Sequence, residues 1–179
     1  KALSEVVLPA LDPGDKVALE QGHLVVAMLQ LMAQQLPLQY RFDCDELARL
    51  VTFSNCIESA LVDGATGADV AARLAASTRA ATAMLERLGP EPGDILQAIN
   101  DLREAATTAM QIVFDSGNEG DRTQLIRATL DMSGEQIVRD RSWLIAQGWE
   151  TDPQQFPPIE SLIAPVGRHD VVDDVEVLP

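Results

Sequence analysis

PGDILQAINDLREAATTAMQIVFDSG, residues 92–117, decides the architecture. Within it Ile95, Ile99, Leu102, Ala106, Ala109 and Val113 return at alternating spacings of four and three. A stripe of that period drifts slowly around an α-helix, so it stays against a neighbour only when the two helices cross at a shallow, left-handed angle. The stretch is bounded by Pro92-Gly93 and Ser116-Gly117, residue types that start and stop helices. It therefore predicts a long helix packed nearly antiparallel on another.

Working outward, the segments on both sides read the same way. Upstream, Thr66-Gly67-Ala68-Asp69 is a start signal, Val70, Leu74, Ala81, Leu85 and Leu88 follow, and Gly89-Pro90 is the stop. Seven alanines between 71 and 83 keep this segment thin enough for close approach of its neighbours. Before it, Asp43-Cys44-Asp45-Glu46 has capping-box form and leads into Leu47, Leu50, Ser54, Ile57 and Leu61 on one face. Earlier still, Asp12-Pro13-Gly14-Asp15 opens a helix that should end near residue 36, because Pro37 lacks the N–H an interior position donates. Downstream, residues 118–147 carry Leu125, Ile126, Leu130, Ile137, Leu144 and Ile145, with Gly134 in the middle. A glycine there costs about 1 kcal/mol relative to alanine, so a bend or break is expected. The prediction is an all-α, up-and-down bundle of about five helices over residues 1–149.

Composition changes at Trp149. Residues 150–179 hold five of the ten prolines and seven acids against Arg168 alone. Such a segment should be extended or only briefly helical, near 152–155 and 159–163. Its apolar residues, Phe156, Ile159, Leu162 and Ile163 among them, are too many for an idle linker, so it is expected to pack as a strap or serve as a binding arm.

The chain of 179 residues has 13 basic and 28 acidic side chains, a net charge of −15. Its pI near 4.3 argues against nucleic acid and anionic membrane surfaces as partners. Its longest apolar run, 24–36, is interrupted by Gln30, Gln34 and Gln35 and is shorter than the roughly 20 residues of a bilayer span. No signal peptide is visible, and Cys44 and Cys56 lie twelve residues apart in one helix, too far to bridge. A cytoplasmic protein is expected.

Candidates for chemistry are sparse. Residues 24–33, LVVAMLQLMA, are apolar nearly all round, as in the central helix of a bundle. Against that background Glu20, His23, Gln30 and Gln34 form one narrow polar stripe, either a solvent edge or the wall of a small-molecule pocket. Glu20-Gln21-Gly22-His23 has the Glu-x-x-His spacing of bundle metal sites, but the only other histidine, His169, lies in the proline-rich tail with Val166 three residues before it. No metal or other cofactor is expected. Neither cysteine is placed beside a histidine, and hydrolase, phosphate-loop and dinucleotide motifs are absent, so no catalytic residue is assigned.

Arg139 and Arg141, close to Trp143, could grip a carboxylate or phosphate, though pairing with the chain's own excess acids is the simpler use. Met28, Met32, Met84, Met110 and Met132 read as core filler, and Trp143 and Trp149 as covers for the bundle end. The balance favours a non-catalytic protein that self-associates as a homodimer or binds a protein partner. The alternative is a small-molecule binder or enzyme built around His23, Gln30 and Gln34.

Overall fold

A computed structural model describes residues 1–61 and 67–163. It is all-α, with no strand among the described residues. Helix α1 spans Lys16–Leu61, α2 Ala68–Glu86, α3 Pro92–Ser116, α4 Glu119–Leu144 and the single turn α5 Ile159–Leu162. Short turns flank them at Leu3–Val7, Leu8–Ala10, Ile145–Gln147 and Pro153–Gln155.

The first two expected helices are one. Pro37 lies inside α1, a helix of 46 residues, and not at its end. A proline in a helix interior costs about 3 kcal/mol, but both sides of this one are anchored by tertiary packing, which overrides the local penalty. On one side Leu31 is buried and the Gln35 amide donates to the Trp143 carbonyl at 3.1 Å. On the other, the Phe42 ring packs on Trp143 at 4.3 Å between centroids. Gly134 likewise does not interrupt α4, which runs unbroken past it on an open face where no neighbour adds to its cost.

The core is a three-helix unit of the C-terminal half of α1 with α2 and α3. Leu47, Ile57, Leu74, Ile95 and Leu102 are fully enclosed there, joined by Ala105, Ala106, Ala109 and Val113 along the α3 seam. The alanines of α2 and α3 let the helices approach closely. Polar pins hold the register: Thr78 Oγ1 donates to Glu58 at 2.7 Å, and Arg73 meets Glu104 at 2.7 Å. At the end of α3, Gly117 is required by close approach, since a Cβ would stand 2.4 Å from the Val113 carbonyl oxygen. Asn118 then caps α4, accepting from the Asp121 N–H at 3.0 Å. Helix α4 runs back along α1 and contributes Leu125 to the core.

Residues 150–163 return over the junction of α1 and α4. Ile163 is buried, the Arg41 guanidinium donates to its carbonyl at 2.9 Å, and Arg141 grips Glu150 with both nitrogens at 2.8 and 2.6 Å. The rest of the acidic tail, from 164 on, lies outside the described residues, as does His169.

Candidate functional site

The most unusual surface belongs to α1. At about 1.5 Å per residue this helix is roughly 69 Å long, against roughly 29 Å for α2 and 38 Å for α3. Apart from Leu31, every buried residue of α1 lies at Asp43 or beyond. Residues 16–36 therefore extend past α2 and α3 as an arm, met by the end of α4 at Leu31 and Gln35. Its composition suits a core: Leu24, Val25, Met28, Leu29, Met32 and Leu36 are all large and apolar, yet all are exposed, Leu36 at 68% and Met28 at 54%.

Placing residues at about 100° per position shows why these side chains matter. Taking Glu20 as zero, Val25, Met28, Leu29, Met32 and Leu36 fall between about 80° and 180°. Leu47, Leu50, Ser54, Ile57 and Leu61, the face buried against α2 and α3, fall between about 100° and 180° on the same scale. The uncovered stripe of the arm is thus the continuation of the bundle's own seam. It lacks cover because α2 and α3 stop short of it.

The other flanks of the arm are in use. The N-terminal turns fold back on one side, where Gly22 seats Leu8: a Cβ on Gly22 would stand 2.4 Å from a Leu8 methyl. The polar stripe of Glu20, His23, Gln30 and Gln34 is exposed along its whole length, away from the apolar seam. Of the four, Gln34 lines a groove of about 360 Å³ between α1, Trp143 and the chain around Phe156, while His23 and Gln30 are not among its walls. Met28 and Met32, expected in the core, lie on the open seam, and Trp149, expected to cover the bundle end, is 80% exposed. The reason is shared: the sequence showed apolar faces but not the lengths of the helices available to cover them.

At the base of the arm sits an ionic network that sequence spacing did not reveal. Arg139, 1% exposed, reaches from α4 to α1, where it pairs with Glu46 and donates to the Phe42 carbonyl at 2.6 Å. Its Nε lies 3.1 Å from Asp45 Oδ2, an ion-pair distance without hydrogen-bond alignment. Its guanidinium also stacks 3.7 Å from the Phe42 ring centre. Arg103 of α3 takes the second oxygen of Glu46, and Arg49 pairs with Asp45 at 2.9 Å. Beside them, burial pushes the Asp43 carboxyl above its usual range, against the opposing pull of the Gln39 amide and of Arg139.

Arg139 and Arg141, the candidate anion site, thus hold internal carboxylates. Arg141 binds Glu150 while lying 4.2 Å over the Phe156 ring, and it draws the Glu150 carboxyl below its ordinary value.

A second groove, about 500 Å³, runs between α1 and α4 past Arg49, Phe53, Cys56, Asp131 and Met132. Among the described residues no group of three or more His, Cys, Asp or Glu side chains converges as a metal cage would require. His23 and Cys44 stand 21 residues apart on one helix, about 31 Å, and burial pushes the Cys44 thiol up, opposite to the shift that activates a nucleophile. Among the described residues no helix is long and apolar enough to cross a membrane.

No protein-family model matches this chain, and no curated protein or solved structure shows significant similarity to it.

Proposed function

We propose that this is a non-catalytic interaction protein that self-associates through the arm of α1. One observation carries the reading: the seam that α1 buries against α2 and α3 continues uncovered along residues 25–36. A soluble chain rarely leaves such a patch open, and large apolar patches mark contact sites. The five exposed side chains of that seam offer on the order of 500 Å² per copy before their smaller neighbours are counted, the larger part of the roughly 800 Å² per partner of a standard interface.

Charge favours the same place. Lys16 and Glu20 are the only charged residues between 16 and 36 and they cancel, so the whole net charge of −15 lies elsewhere. Two copies that repel over the rest of their surfaces can touch along the arm. Association there should tighten as salt is added, the reverse of an ion-paired complex. The acidic surface disfavours a polyanionic partner, and the two free cysteines suit a reducing, cytoplasmic setting.

Sedimentation at tens of micromolar tests the reading. The full chain should run as a dimer in high salt, and Met28→Glu with Met32→Glu should run as a monomer with unchanged helix content, because both side chains are exposed within one chain. A wild-type chain that stays monomeric at low and high salt would rule out self-association.

A further inference from the structure

We infer that the two arms pair antiparallel, each lying on the other where α2 and α3 would lie if they were longer. This rests on the self-association proposed above and adds the orientation and register of the partner copy. The open seam of the arm and the covered seam of the bundle share one face of one helix. In a parallel pair, position by position, the second copy's α1 would continue past residue 40 directly into the space that α2 and α3 of the first copy fill. Interaxial distances of about 8–10 Å leave no room for both. In an antiparallel pair the second arm ends where the α2–α3 layer begins, and its own bundle emerges beyond the other end of the first arm.

The lengths agree. The uncovered stretch of α1 from residue 16 to about residue 40 is roughly 36 Å long, and an incoming arm of 21 residues is roughly 31 Å. With the two-fold axis between residues 28 and 29, Met28 of each copy meets Leu29 of the other and Val25 meets Met32. The pairing is self-complementary and closes on itself. It also holds the two acidic bundles at opposite ends, whereas a parallel pair would set them side by side.

The test is a distance. With Cys44→Ala and Cys56→Ala removing the native thiols, Ala48→Cys places a nitroxide on an exposed position of the bundle half of α1. Antiparallel arms put the two labels about 58 Å apart, while parallel arms put them under about 25 Å. Dipolar spectroscopy on the dimer separates these values, with sedimentation and circular dichroism run on the same sample. Should that variant fold poorly, Thr52→Cys, also exposed, replaces it with an expected separation of about 70 Å. A dimer with the long distance supports the proposal. A dimer with the short distance overturns the orientation and leaves self-association standing, and a monomer overturns both.

Discussion

The two halves of α1 present the same apolar face with opposite fates. Beyond Asp43 that face is sealed, with Leu47 and Ile57 at 0% exposure, whereas before Pro37 side chains of equal size stand in solvent. Nothing in the periodicity of α1 separates them. The difference lies in α2 and α3, whose lengths set where cover ends. Burial of a helix face is thus a property of its neighbours, and an amphipathic pattern specifies only that some neighbour is wanted. The ionic cluster of Asp45, Glu46 and Arg139 marks the border, fastening α4 to α1 where the sealed half begins.

Breaking that border should have the largest effect. Arg139→Ala leaves the Glu46 and Asp45 carboxylates enclosed with less compensation, and removing one partner of a buried pair costs about 3–5 kcal/mol. Urea unfolding should show this loss. A drop below about 1 kcal/mol would mean that the network is solvated and that apolar packing alone holds α4 in place.

A matched pair of truncations sharpens the comparison directly. Ile57→Ala in the sealed half should cost about 2–5 kcal/mol. Leu29→Ala in the arm should stay within about 0.5 kcal/mol when measured on dilute monomer, as exposed positions do. At concentrations that favour the dimer, the Leu29→Ala cost should grow with protein concentration, since binding adds to apparent stability by mass action. Equal costs in dilute monomer would erase the distinction between the halves.

The smallest effect concerns Asp43, just inside the sealed half. Its folded pKa is raised above the usual value of about 3.9, mainly by burial. Its favourable contribution is therefore complete below that usual value and is lost as pH rises through the folded pKa. Asp43→Asn should match the wild type in acid and become the more stable protein as pH rises toward neutrality. Thermal melts across pH 3–7 that remain parallel would show that the carboxyl is not desolvated.

Much of this architecture is legible in the sequence. The α3 seam gave its helix to within a residue or two, because heptad spacing and both boundary signals agree there, and Thr66-Gly67 and Asn118 marked the neighbouring starts. Pro37 and Gly134 mislead because they report a local cost, which at Pro37 is overridden by packing from α4 and residues 150–163 on α1 and at Gly134, about 1 kcal/mol, is too small by itself to break a long helix. The reach of the Arg139 side chain across to Glu46, 93 residues away, has no local signature. The excess of acids in the chain hinted that its arginines would be occupied internally, but not which acid each would find. The exposed seam was visible as an apolar stretch and misread as core, since nothing in one helix states the length of another.

Leu8, seated on Gly22, bears on the number of copies that can assemble. An arm bare on every side would accept neighbours around its circumference and grow into a fibre. Here the N-terminal turns occupy one flank, the polar stripe of Glu20, His23, Gln30 and Gln34 covers another, and one broad apolar face remains. If the arm self-associates as proposed, one such face gives it a valency of one, and assembly would stop at a pair. On that reading the backbone of a single glycine, by seating Leu8, would turn a sticky rod into a connector with one socket.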